Sequence, residues 1–288
     1  MKKVKLLSLI LVAVLASLAF VGCTSSDAND TPSNVQEENQ NESKSLLKGT
    51  INIIGSTSVQ PLTQKLADVF ASVEPGIQID IQGVGSTAGV KAANDGTADI
   101  GTASRELKSE EKEWGLTEHV IARDGIAIAV NPSNSVSDLT TEQAAKIFKG
   151  EITNWKEVGG EDREIIVISR EAGSGTRGAF DEILGIKETL SEKALVAEGN
   201  GAVKQNIATK QAAIGYVSLG YIDDSIKALK IDGVEPTVET IQANEYPVAR
   251  PFLMLTKGEL SPEVKAFIDF IMSSEGQKIV GEGYIPVK

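Results

Sequence analysis

Apolar and polar positions divide the chain into three stretches. Leu6 to Val21 is a run of 16 uncharged, mostly apolar residues behind Lys2, Lys3 and Lys5. A polar stretch follows, with hardly an apolar side chain before Leu46. From Lys48 onward, short β-branched runs alternate with helical patterns. Strands are predicted at Thr50–Ile54, Ile77–Ile81, Ile126–Val130, Ile165–Ile168, Ile214–Val217 and Phe252–Leu255. Leu62, Leu66, Val69, Phe70 and Val73 recur at helical spacing. Thr140 and Gln143 form a capping box before a helix Thr141–Phe148, which Gly150 stops. Phe180, Ile183 and Leu184 line another helix, ended by Gly185. Ser261-Pro262 opens a C-terminal helix through Phe267, Phe270 and Ile271, and Gly281, Gly283 and Pro286 lead out of the last helix. Strand–helix alternation argues for an α/β fold with mostly parallel sheets.

The first stretch is too short for a membrane span, which needs about 20 apolar residues. It reads as a secretory signal over residues 1–22. Small residues follow it, then Cys23. The run Leu18-Ala-Phe-Val-Gly-Cys23 resembles a bacterial lipobox, with Phe20 where that pattern usually has Leu. The resemblance implies a lipidated Cys23 that tethers the chain to the extracytoplasmic face of the cell membrane. The alternative is an ordinary signal peptide with an incidental Cys. Residues 23–47 would then be the lipidated Cys and a flexible tether, because so polar a segment cannot bury enough surface to offset its ordering entropy. The chain's 288 residues, at one domain per roughly 150 residues, suit about two lobes.

Composition narrows the function classes. Apolar residues make up 41% and charged residues 24% of the chain, which excludes full disorder and a polytopic membrane protein. The net charge is −12, and losing residues 1–22 leaves 25 basic against 40 acidic residues. No nucleic-acid partner is expected, since such a binder needs a basic footprint. The single Cys excludes an internal disulfide, and the single His makes any Ser-His-Asp triad depend on His119. No metal site, cofactor or catalytic residue is expected. His119 reads as a surface or strand-edge residue, Trp114 and Trp155 as packing residues, and Glu110–Glu113 as a solvated first helical turn.

The chemistry concentrates in three segments of one design: a strand, a Gly/Ser/Thr turn, then a helix start. They are Ile53-Ile-Gly-Ser-Thr-Ser58, Gln82-Gly-Val-Gly-Ser-Thr-Ala-Gly89 and Arg170-Glu-Ala-Gly-Ser-Gly-Thr-Arg177. A helix N-terminus leaves backbone N–H groups unpaired and carries partial positive charge. Glycine admits an anion to the backbone, and Ser or Thr adds a hydroxyl donor. One such element is usually only a capped helix; three together favour a tetrahedral oxyanion site at the carboxyl ends of strands. None is a P-loop or a hydrolase elbow. Arg170, four residues before Ser174, suits bidentate capture of a phosphate-like group, or else a surface ion pair.

Six strings in order carry a resemblance: Gly55-Ser-Thr-Ser-Val-Gln-Pro61, Gln82–Gly89, Asp99-Ile-Gly-Thr-Ala-Ser-Arg105, Ile147-Phe-Lys-Gly-Glu-Ile-Thr-Asn-Trp155, Arg170–Thr176 and Ala213-Ile-Gly-Tyr-Val217. From about Lys48 to Lys288 the chain resembles the PstS family, the phosphate-binding proteins of bacterial phosphate ABC transporters. The resemblance implies an α/β, two-lobed periplasmic-binding-protein fold (type II-like), with the ligand in the interlobe cleft. Lobe one would be 48–125 plus 248–288 and lobe two 126–247, with crossings near Gly125–Ile126 and Tyr246–Arg250. It further implies phosphate binding by Thr57, Ser58, Ser86, Arg170, Ser174, Gly175 and Thr176, closure by hinge bending, delivery to permease subunits, and no catalysed reaction.

One position departs from the family. Where some members have an Asp that accepts the proton of hydrogen phosphate, this chain has Ser104, followed by Arg105. Asp124 is the candidate for the missing acceptor; alternatively it pairs with Arg105, Arg170 or Arg177, or merely starts a strand. A buried carboxylate would reject sulfate, which brings no proton to it. Two rival classes stay open: a binder of another oxyanion such as sulfate or molybdate, and a phosphate-handling hydrolase.

Overall fold

The computed structural model describes residues 47–288, so the expected signal segment, Cys23 and the tether up to residue 46 lie outside the described residues. In chain order the elements begin β1 (Gly49–Gly55), α1 (Gln60–Val73), β2 (Ile77–Gly83), α2 (Ser86–Asp95), β3 (Ile100–Ala103), α3 (Ser109–Lys112), β4 (Leu116–Val130), β5 (Asp138–Leu139), α4 (Thr141–Lys149) and β6 (Ile166–Arg170). They continue with α5 (Gly175–Ile183), β7 (Leu195–Ala197), α6 (Gly199–Thr209), β8 (Ala213–Ser218), β9 (Lys227–Ala228), β10 (Lys230–Ile231), α7 (Val238–Gln242), β11 (Ala249–Lys257), α8 (Pro262–Ile271) and α9 (Ser274–Val280).

The main sheet runs β2-β1-β3-β11-β4-β8-β6-β7, with β9 also beside β4. It is mixed, which corrects the expectation of mostly parallel sheets. Parallel pairing holds at the flanks, β1 with β2 and β3, and β6 with β7 and β8. In the middle, β11 runs antiparallel to β3 and β4, and β4 antiparallel to β8. The cause is connectivity. β4 pairs with β11 over Leu116–Gly125 and with β8 over Ile126–Val130, so one strand serves both halves of the sheet. β11 brings the chain back beside it, with Arg250 opposite Asp124. An outgoing and a returning strand placed side by side must be antiparallel.

Two large apolar cores lie on either side of this crossing. One gathers Ile51, Leu62, Phe70, Ile100, Phe252 and Phe267; the other gathers Ile128, Phe148, Trp155, Phe180, Tyr216 and Tyr246. The molecule is thus two-lobed. Phe70 sits 5.2 Å from Phe267, which ties α1 to α8 in the first lobe. Phe180 stacks on Tyr216 at 3.9 Å, which ties α5 to β8 in the second. Each such burial stabilises by about 1.5–3 kcal/mol. Trp155 is buried and donates its ring N–H to the Ala212 carbonyl, and Trp114 packs against an apolar cluster containing Leu107 and Leu253.

The capping signals work as physics requires. Thr140 and Gln143 form their reciprocal box on α4, and Gly150 closes that helix in the left-handed conformation. Ser261 caps α8 with Pro262 behind it. β3 and the first half of β4 went unread in the sequence. Ile100-Gly-Thr-Ala103 is too short to show alternation, and Leu116–Arg123 mixes charge with apolar residues because part of it is exposed.

Candidate functional site

The three strand–turn–helix segments converge where the lobes meet. In the first, Ser56 accepts from the Ser58 amide and donates to the Ser104 hydroxyl at 2.9 Å. In the second, Gly85 holds φ at 106°, a conformation that favours glycine, and so turns the chain from β2 into α2. Ser86 then shares a hydroxyl contact with Ser104 at 3.3 Å and accepts the Ser104 amide at 3.1 Å. In the third, Ser174 caps α5 by accepting the Arg177 amide. Gly175 and Thr176 occupy the first turn, where amides have no intrahelical acceptor. A Cβ at Gly175 would overlap the Ser86 hydroxyl, so only glycine lets the two lobes approach this closely.

The lobes are joined directly through hydroxyls. Ser58 Oγ of the first lobe and Thr176 Oγ1 of the second are 2.9 Å apart. Arg170, 1% exposed, directs Nη1 toward Thr176 Oγ1 at 3.5 Å and Nη2 to Thr57 Oγ1 at 3.3 Å. Its Nε and Nη2 also grip both oxygens of Glu171, at 2.9 and 2.8 Å. Burial raises the Glu171 carboxyl, but the hydrogen bonds and charge of Arg170 hold it below its ordinary value overall.

A second guanidinium was not foreseen. Arg250, on β11, donates Nη2 to Ser58 Oγ at 3.1 Å and Nη1 to the Ser104 carbonyl and hydroxyl at 3.2 and 3.3 Å. It is 3% exposed. Its sequence signal was a charged residue, Ala249-Arg250-Pro251, opening an apolar strand. Asn200, at the start of α6, was missed as well. It donates to Ser58 Oγ at 2.8 Å and to Thr57 Oγ1 at 3.1 Å. Glu198-Gly199-Asn200 is a fourth strand–turn–helix start after β7, legible by the same rule but lacking Ser or Thr.

Two expectations about charged candidates need correction. Asp124 does not start a strand; it lies within β4, fully buried. Its Oδ2 takes Arg250 Nε and Nη2 at 3.1 and 2.8 Å, and its Oδ1 takes the Ser218 hydroxyl at 3.0 Å. The arginine it pairs with is none of the three considered. Burial pushes the Asp124 carboxyl above its ordinary value, against the pull of Arg250 and Ser218. Arg105 is held away from the ring by a buried bidentate pair with Glu111, at 2.7 and 2.8 Å. Glu111 is therefore an internal counter-ion, not part of a solvated turn. His119 is half-buried on β4, shares a 3.0 Å hydrogen bond with Thr256, and takes no part in the site.

The ring therefore consists of hydroxyls from Thr57, Ser58, Ser86, Ser104 and Thr176, an amide from Asn200, and two guanidiniums that each carry a carboxylate partner. With both cations neutralised, what it offers an anion is directional donors at short range, which is how a buried site selects shape over net charge.

Donors from both lobes around a buried ring at the crossing of two strands define an interlobe solute-binding protein, and the profile of the PBP superfamily domain matches residues 39–275. The chain is 34% identical to the phosphate-binding protein PstS of Bacillus subtilis, covering 100% of this chain and 95% of the relative. A crystal structure from Clostridium perfringens, described as a phosphate ABC transporter substrate-binding protein with bound phosphate, matches with a TM-score of 0.82 at 48% identity, over 83% of this chain and 100% of that one. An ABC-type phosphate transport receptor from Vibrio cholerae matches with a TM-score of 0.69 at 39% identity, again over 83% and 100%. The chain belongs to the PstS family of phosphate-binding proteins.

Proposed function

We propose that this chain captures inorganic phosphate between its lobes and delivers it to the permease subunits of an ABC transporter. The observation that carries this is the bridging ring, in which Ser58 of one lobe and Thr176 of the other meet within reach of Arg170 and Arg250. The hydroxyl–hydroxyl bonds of the ring are the ones a tetrahedral oxyanion would replace. Thr57, Ser58, Ser86, Arg170, Gly175 and Thr176 would donate to it, and Ser174 would hold the helix start in place. The lobes would divide as 48–125 plus 248–288 and 126–247, hinged where β4 and β11 cross. Anchoring would be through lipid on Cys23 at the extracytoplasmic face. Among the described residues no helix is long and apolar enough to cross a membrane. The protein would act by binding and release, without catalysis; the two carboxylates at the ring are both taken by arginines.

A second reading has one observation in its favour. Asp124 is turned to Arg250 and Ser218, and Ser104 presents a hydroxyl that can donate as well as accept. Among the described residues, the two carboxylates at the ring are turned to arginines, so neither would penalise an unprotonated anion, and sulfate would compete with phosphate. Calorimetry of residues 24–288 with phosphate, sulfate and molybdate decides. One phosphate site is expected, weakened at least tenfold in Arg170→Ala with the fold retained. Silence toward phosphate, or displacement of phosphate by equimolar sulfate, would refute the phosphate assignment.

A further inference from the structure

We propose that the segment Ser218–Tyr221 is a latch between the lobes, with Tyr221 the positioning residue that holds Thr57 at the oxyanion ring. This rests on the phosphate reading for its ligand, but not for its geometry. Five neighbouring contacts support it. Ser218 donates its hydroxyl to Asp124 at the crossing strands and its amide to Asn200 Oδ1, at 3.0 Å each. Gly220 lies so close to Tyr284 of the first lobe that a Cβ there would overlap the tyrosine hydroxyl. Tyr221 packs its ring on the second-lobe cluster of Ala129, Ile168 and Val217, and reaches across to donate its hydroxyl to the Thr57 carbonyl at 2.7 Å.

Thr57 is thus gripped by three groups of the opposite lobe: Arg170 and Asn200 on its hydroxyl, Tyr221 on its carbonyl. The first two are donors that a bound oxyanion would compete for. The Tyr221 bond lies on the backbone side of Thr57, where no oxyanion contact is assigned, so it can persist with ligand present. A contact made only when the lobes are together favours the closed state by its own free energy. It should therefore slow ligand release more than it speeds capture.

Tyr221→Phe keeps the ring and removes only the hydroxyl. Phosphate affinity is expected to fall roughly threefold to tenfold, the worth of one hydrogen bond, with the loss in the dissociation rate. Melting of the ligand-free protein should move by no more than about 2 °C, since one part-buried hydroxyl outside the apolar cores contributes little to either of them. Affinity within twofold of the unaltered chain, or an affinity loss matched by a large drop in ligand-free melting, would overturn the latch and leave the phosphate reading intact. If the unaltered chain itself ignores phosphate, the functional reading fails instead. Small-angle scattering without ligand then decides the latch: a larger radius of gyration in Tyr221→Phe supports it, and an unchanged one rejects it.

Discussion

Asp124 and Arg250 face each other across the two strands that join the lobes, 0% and 3% exposed, and each satisfies the other. Breaking a buried pair by removing one charge costs about 3–5 kcal/mol, because the survivor stays buried and unpaired. Asp124→Asn should lower unfolding free energy in urea by that order. It should also weaken phosphate and sulfate equally, since Arg250 loses its anchor whichever anion is present. A loss confined to phosphate would instead make Asp124 an acceptor for the ligand's proton. Arg105 and Glu111 form the other buried pair. Burial raises the Glu111 carboxyl, but Arg105 and the Lys108 amide bring it below its ordinary value overall. A carboxylate held low stabilises the fold fully above the unfolded value of about 4.3, and that stability is lost as pH falls through the folded value. Glu111→Gln should therefore be destabilised by about 3–5 kcal/mol at pH 7, as for the other buried pair. The gap to the unaltered chain should narrow as pH falls below about 4.3; a gap that stays constant or widens there would contradict the pairing.

At the scale of elements, the same device recurs four times: a strand delivers the chain to a small-residue turn, and a helix start presents amides together with a hydroxyl or, in the fourth, the Asn200 side-chain amide. Three of the four were legible because Gly, Ser and Thr cluster visibly between a β-branched run and a helical pattern. Asn200 lacked that clustering, and Arg250 belongs to no turn. Its role depends on the register that sets β11 against β4, and register is a tertiary quantity that no local pattern encodes. The mixed sheet escaped for the same reason, since strand direction follows from which strands end up adjacent. Among the helix starts, α5 has a capping side chain that can be tested alone. Ser174→Ala removes the acceptor for the Arg177 amide and should cost about 1 kcal/mol of stability. Phosphate affinity should fall by less than in Arg170→Ala, as checked by denaturation and calorimetry side by side. An affinity loss as large as that of Arg170→Ala would give Ser174 a direct ligand contact.

At the scale of the molecule, acidic composition and anion capture coexist because they act over different distances. Charges on the outer surface are screened beyond roughly 8–10 Å in physiological salt. The ring is buried, and its two guanidiniums are each matched by a carboxylate, so the site neither adds to nor depends on the global field. Two cores joined by two crossing strands would let the halves of the ring separate by small changes at the crossing, without unfolding either lobe. The most direct test of the central claim is a crystal structure of the chain grown with inorganic phosphate. One tetrahedral density is expected between the lobes, within hydrogen-bond reach of Ser58, Ser86, Arg170 and Thr176. Those four side chains left without such density, or phosphate bound elsewhere with the ring unchanged, would contradict it.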